Sequence, residues 1–234
     1  MIGDMQKWTP NVAGIIEHAR EIHPKTEIIS RLVSGEIHRS NYEKVCIRSR
    51  KLASALEKDG VKKGDVIATL ALNTYRHLEM YYGISGMGAI THTLNFRLHP
   101  EQAVYIINHA EDKIIFVELP FVPILEALQE NLKTVEKYVV LCEVDEMPET
   151  TLKNAISYEE YIQDGDENYS WPTLEDDAAC ALCYTSGTTG NPKGVLYSHK
   201  SNVIHAQAAL TAMTIKPDDT ILMVVPLFLS LIHI

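Results

Sequence analysis

Long apolar runs are missing from this chain. The longest, Ile221 to Leu229, is short and interrupted by Pro226. A membrane-spanning helix needs roughly 20 apolar residues, so no transmembrane segment is expected. Basic residues are in deficit: 21 Lys and Arg stand against 31 Asp and Glu, a net charge of -10. A nucleic-acid partner calls for clustered cations along the phosphates, and this balance argues against one. It leaves a small anionic substrate open, because one loop can supply a local positive field. Cysteine is scarce, and Cys46, Cys142, Cys180 and Cys183 offer no disulfide framework. Cys180 and Cys183 have the spacing of a redox or zinc pair. On a strand, however, residues three apart face opposite ways, and no second Cys/His pair completes a metal site. The ten histidines form no HExxH and no Ser-His-Asp spacing, which argues against a zinc site and a triad hydrolase. His199 stands out among them because it closes a strand. Met1 to Gln6 has neither the basic nor the apolar region of a signal peptide, so a cytoplasmic location is expected. No internal repeat recurs at a fixed period.

What is present is ordinary globular composition, 46% apolar and 22% charged over 234 residues, enough to bury a core in one large domain or two small ones. The periodicity predicts a helix over 12–22 and a hairpin of 27–33 with 36–39 around Ser34-Gly35. Ser40 and Glu43 have the spacing of a capping box before a helix that Gly60 ends. Strands and helices then alternate: strand 66–72, helix 77–87, strand 89–93, helix 100–109, strand 113–118, helix 121–131, strand 138–142. Alternation with short connections implies an α/β fold, mostly parallel sheets flanked by helices. Residues 143–172 are acidic and irregular, with a short helical stretch near 156–162, and read as a surface excursion. Glu175-Asp176-Asp177 reads as a solvated turn.

The densest chemistry lies in Tyr184-Thr185-Ser186-Gly187-Thr188-Thr189-Gly190-Asn191-Pro192-Lys193-Gly194. Its glycines let backbone N–H groups approach a ligand, and successive N–H groups in a turn form an anion-binding concavity. The hydroxyls of Thr185, Ser186, Thr188 and Thr189 add donors, and Lys193 adds a charge suited to phosphate. An apolar strand over 178–184 precedes the loop, and 201–213 is helix-compatible, so strand, loop and helix suggest a polyphosphate cradle. The spacing is not Walker A. Counting from Gly187 puts Pro192 where the second glycine belongs, and counting from Gly190 puts Leu196 at the lysine.

Thr185 to Val195 resembles the signature of AMP-forming adenylating enzymes. Asn73-Thr74-Tyr75-Arg76-His77-Leu78-Glu79, Gly86-Met87-Gly88-Ala89, His92-Thr93-Leu94-Asn95, Tyr105 to Asp112 and Tyr197-Ser198-His199 resemble bacterial medium- and long-chain fatty-acid–CoA ligases. The likeness runs from about Ile28 to Phe228. It implies the N-terminal part of a large adenylating domain (27–228), after a lead-in of 1–26. It also implies ATP, Mg²⁺ and coenzyme A, with a fatty acid as the substrate to be activated. Thr185, Ser186, Gly187, Thr188, Thr189, Gly190 and Lys193 would hold the nucleotide, with Thr185 also on Mg²⁺. The catalytic lysine, the ribose-binding Asp and the acyl pocket would lie beyond Ile234, so the chain alone is expected to be inactive and to expose apolar surface. A homodimer is the assembly the resemblance hints at. Leu229-Ser230-Leu231-Ile232-His233-Ile234 departs from the family after Phe228 and resembles adapter read-through, so 229–234 is expected to be non-native. Two other readings stay open: activation of an aryl or amino acid, and a non-catalytic phosphate-binding fragment.

Overall fold

The computed structural model describes residues 8–185 and 191–227. Helix α1 (Val12–Ile22) precedes a hairpin of β1 (Glu27–Arg31) and β2 (Ile37–Asn41). Then follow α2 (Tyr42–Lys58), β3 (Val66–Leu70), α3 (Tyr75–Gly86), β4 (Ile90–Thr93), α4 (Pro100–Ala110) and β5 (Ile114–Val117). After these come α5 (Val122–Leu128), β6 (Lys137–Val140), β7 (Ala155–Ser157), α6 (Tyr158–Gln163), β8 (Ala179–Thr185), β9 (Lys193–Ser198) and α7 (His199–Met213). β1 and β2 form a sheet of their own. The other seven strands run in the order β7-β6-β5-β3-β4-β8-β9. Every neighbouring pair in that sheet is parallel except β8 with β9. The expected α/β class, mostly parallel sheet and N-terminal hairpin are all observed.

β3 and β5 read as near-continuous apolar runs because both faces of a parallel sheet are covered. Side chains alternate between faces. Ile67, Ile114, Phe116 and Val139 point to the layer that holds Leu52 and Leu56 of α2, Met80 and Ile84 of α3, and Tyr158 of α6. Ala68, Ile115, Val117 and Val140 point the other way, toward Ile106 and Ile107 of α4 and Leu125 of α5. Each such fully buried side chain contributes about 1.5–3 kcal/mol relative to exposure. Gly83 lets α3 lie close on α2: a Cβ there would stand 2.9 Å from the Ser49 carbonyl oxygen and 2.9 Å from Leu52 Cδ2.

Four expectations need correction. The cap of α2 is Asn41, whose side chain accepts from the Lys44 N–H at 2.9 Å. Ser40 is still paired with Ile28 in the hairpin, so the helix starts one residue later than the Ser40–Glu43 spacing suggests. The helix expected over 121–131 is α-helical only from Val122 to Leu128, with 3-10 turns at both ends. The stretch 143–172 is not a surface excursion. Ala155–Ser157 extends the sheet edge as β7, and Tyr158 and Ile162 are buried. Glu159, between them, pairs with both Arg48 and Arg76 at 2.9 Å. The fourth correction concerns the loop after β8.

Candidate functional site

The strands on either side of the glycine-rich segment form an antiparallel hairpin, so the segment does not lead from strand straight into helix. β8 and β9 pair antiparallel, with Thr185 opposite Lys193, Tyr184 opposite Gly194 and Ala179 opposite Ser198. Helix α7 therefore begins at the far end of β9 from the loop, where the Ser198 side chain caps it. Its N-terminal dipole is not aimed at the loop. Thr185 and Lys193 frame the neck, and the exposed Thr185 Oγ1 lies 3.4 Å from the Lys193 carbonyl. Ser186, Gly187, Thr188, Thr189 and Gly190, like the tail 229–234, lie outside the described residues. Gly194 has a packing reason: a Cβ there would meet Leu182 Cδ1 at 3.1 Å and Tyr184 Cζ at 3.2 Å.

Position supports a ligand role for this loop. The chain passes from β3 to β4 on one side and then crosses to β5 on the other, so strand order reverses there. Open α/β sheets bind ligands outside the carboxyl ends of the strands at such a reversal. β8 lies beside β4 and parallel to it, which brings the loop to that edge.

Three groups at the same edge escaped the sequence reading as site residues. Asn73, just past β3, donates from Nδ2 to the carbonyls of Met223 (3.0 Å) and Val225 (2.9 Å), and its Oδ1 accepts from the Leu227 N–H at 2.9 Å. The Tyr81 hydroxyl donates to the Leu227 carbonyl at 2.7 Å. Together they lay 223–227 across the end of β3. Glu118, just past β5, is buried and accepts from the Leu72 N–H at 3.2 Å. Burial pushes its carboxyl up to about 7. A charged residue directly after an all-apolar strand was the available signal. Arg76 is buried beside it, but its guanidinium is committed to Glu159, Glu143 and the Leu141 carbonyl.

Behind this edge lies an ionic cluster. Arg48 pairs with Glu79 at 2.7 Å, and the Tyr158 hydroxyl donates to Glu79 at 2.9 Å. Burial still pushes Glu79 up to about 6, while the two carboxylates hold Arg48 firmly charged. His77 is buried between Thr69 and the Leu72 carbonyl, and desolvation lowers it to about 4.

The other residues singled out from the sequence are structural in placement. His199 is buried and accepts from the Val12 N–H at 3.2 Å, joining α1 to α7 at the end of the hairpin away from the loop. Burial lowers it to about 4, so it is neutral at pH 7. Burial pushes the Cys180 thiol up to about 11, and Asn202 Nδ2 stands 2.9 Å from its sulfur. Among the described residues no group of three or more His, Cys, Asp or Glu could hold a metal. Asp176 pairs with Lys200 at 2.8 Å.

Residues 16–234 match the family model of the AMP-binding enzymes. The chain belongs to that family. It is 44% identical over 230 residues to a medium-chain-fatty-acid–CoA ligase of Ectopseudomonas oleovorans, covering 97% of this chain and 42% of that protein. It is 41% identical over 230 residues to a 3-methylmercaptopropionyl-CoA ligase of Ruegeria pomeroyi, covering 97% and 43%. A long-chain-fatty-acid–CoA ligase of Thermus thermophilus is 40% identical over 220 residues, covering 93% and 39%. The chain thus spans about two fifths of these relatives' lengths. Among solved structures, a long-chain-fatty-acid-CoA ligase from Archaeoglobus fulgidus matches with a TM-score of 0.80 at 23% identity, covering 97% of this chain and 45% of that one. That likeness is one of fold. The AMP-binding match includes the whole hairpin and its loop.

Proposed function

We propose that this chain is the phosphate-holding part of an acyl-CoA ligase that activates a medium- or long-chain fatty acid. In that reaction the carboxylate attacks the α-phosphorus of ATP, pyrophosphate leaves, and coenzyme A thiolate displaces AMP from the acyl-adenylate. The obstacle in the first step is charge, because an anion attacks a polyanion. Preorganised donors that act without reorganising lower that barrier. Gly187, Thr188, Thr189, Gly190 and Lys193 are assigned to the β- and γ-phosphates, and Ser186 adds a hydroxyl donor. The observation that carries the reading is the hairpin neck, which sets exposed Thr185 against Lys193 at the carboxyl ends of the parallel strands, with β4 between it and the reversal at β3.

Mg²⁺ fits this neck in one manner. The described residues provide no carboxylate cage, but Thr185 offers an exposed hydroxyl, and Mg²⁺ commonly reaches proteins through substrate phosphates and few side chains. Bound there beside Thr185, it would neutralise phosphate charge. No described helix is long and apolar enough to cross a membrane, in keeping with a cytoplasmic enzyme; sedimentation would test the homodimer.

Fatty acid is preferred over an aryl or amino acid because relatives at 44% and 40% identity carry fatty-acid names. The 41% identity to a 3-methylmercaptopropionyl-CoA ligase leaves acyl length to experiment. The test is acid-dependent ATP–pyrophosphate exchange by the protein expressed from its full coding sequence, across fatty, aryl and amino acids. Exchange with fatty acids is expected. Exchange with aryl or amino acids alone would overturn the substrate class, and none with any acid would leave the phosphate-binding fragment as the better description.

A further inference from the structure

One aromatic side chain, Tyr184, stands at the neck of the hairpin, opposite Gly194. The pairing of β8 with β4 reaches His92 opposite Leu182, whereas that of β8 with β9 continues to Thr185 opposite Lys193. The neck of the hairpin is therefore a two-stranded ribbon beyond its parallel neighbour. Such ribbons twist more than wider sheets and are marginal by themselves. Something else must fix the neck if the loop is to meet a phosphate in a defined place.

Tyr184 supplies that restraint, one residue before Thr185. Its hydroxyl stands 2.6 Å from His109 Nδ1, in the last turn of α4, and the two rings meet edge-on at 5.9 Å. On its inner side the ring lies against His92, with centroids 5.2 Å apart. His92 is itself clamped: it and Asp112 are both 0% exposed, and Nδ1 lies 2.8 Å from the carboxylate. Across the hairpin the ring occupies the space above Gly194. Contacts from α4, β4 and β9 thus converge on one ring, where the sheet ladder no longer holds both sides.

We propose that Tyr184, latched to His109 and braced by the His92–Asp112 pair, is a positioning residue that fixes the hairpin neck, Thr185 opposite Lys193, for polyphosphate. This rests on the phosphate-binding reading above. Gly194 follows from it: the return strand has to pass under the ring, and a glycine there allows that.

The test uses the full-coding-sequence protein, with MgATP and inorganic tripolyphosphate as probes in calorimetry and with acid-dependent exchange kinetics. Tyr184→Phe keeps the ring and removes the latch. One net hydrogen bond corresponds to roughly a two- to tenfold effect, expected as weaker MgATP and tripolyphosphate binding and a higher KM for ATP. The KM for the acid and the melting temperature should stay near wild type. His109→Ala should act in the same direction, and the double variant should be no worse than the poorer single, as for two ends of one contact. A merely structural role would lower the melting temperature and alter both KM values together. Wild type that binds tripolyphosphate while Tyr184→Phe binds it equally overturns the latch alone. Wild type that binds no tripolyphosphate overturns the phosphate reading and the latch with it.

Discussion

Glu118 is an ionisable group in a place that favours its neutral form. It is 4% exposed, receives one N–H from Leu72 at 3.2 Å, and sits beside an Arg76 whose guanidinium is engaged elsewhere. Burial raises its carboxyl from 4.5 to about 7. The folded state then holds a proton that the unfolded chain has already released. Stability from this group is full below about 4.5 and is lost as pH rises through about 7. At roughly 1.4 kcal/mol per unit, the whole span is about 3 kcal/mol. His77 and His199 act in the opposite sense. Their folded values near 4 lie below the ordinary 6.5, so their contribution is full above about 6.5 and is lost as pH falls toward 4. The wild-type profile mixes these effects, so the measurement is a difference. Glu118→Gln keeps the shape and an oxygen for the Leu72 N–H but carries no charge. Denaturant unfolding of both proteins at pH 5 and pH 8 should show the variant gaining most of that 3 kcal/mol on wild type between the two. A variant that loses ground at pH 8 would refute the reasoning, since the carboxylate would then be held by attraction that outweighs its burial.

Other perturbations follow from the same contacts. Arg48→Ala strands Glu79 without its 2.7 Å partner and should cost about 3–5 kcal/mol in unfolding free energy; a loss below about 1 kcal/mol would contradict the buried pair. Gly83→Ala places a methyl 2.9 Å from the Ser49 carbonyl and should lower stability by about 1–3 kcal/mol through overpacking of α2 on α3, whereas an unchanged melting temperature would count against that close approach. Asn73→Ala removes three hydrogen bonds to 223–227, so amide exchange should speed up there while β3 and β5 keep their protection. Equal protection in the variant would mean that Asn73 is not the clamp.

Much of this architecture was legible in the residues, and the gaps have identifiable causes. The run from Lys113 to Glu118 read as a strand, and Ile114–Val117 is one, buried throughout; Val12 to Ile22 carried its helical stripe in full. Ser40 misled because hairpin pairing with Ile28 outweighed the capping pattern. The short helical stretch expected near 156–162 is α6, but Glu159 concealed β7 and the burial of this stretch, since an acidic segment reads as solvated until Arg48 and Arg76 are seen to neutralise it. The glycines, hydroxyls and lysine of the loop carry the phosphate proposal from the sequence alone, because Ser186 to Gly190 lie outside the described residues. The loop's setting was misjudged because a strand of Lys193 to Ser198, mostly exposed at the sheet edge, has no strong alternation of its own. Glu118, Asn73 and Tyr184 act through partners 46 to 154 positions away in the chain, a distance that periodicity does not reach. Exposed Leu222, Val224 and Met213, at 84%, 75% and 68%, match the apolar surface that the family resemblance led us to expect.

A hairpin loop that holds the β- and γ-phosphates of ATP must distinguish ATP from AMP, which lacks them. The most direct measurement is calorimetric titration of the full-coding-sequence protein and its Lys193→Ala variant with MgATP and with AMP. Wild type should bind MgATP more tightly than AMP, and Lys193→Ala should lose that preference while AMP affinity holds. Equal binding of MgATP by the two proteins, or no preference for MgATP over AMP in wild type, would contradict the phosphate assignment.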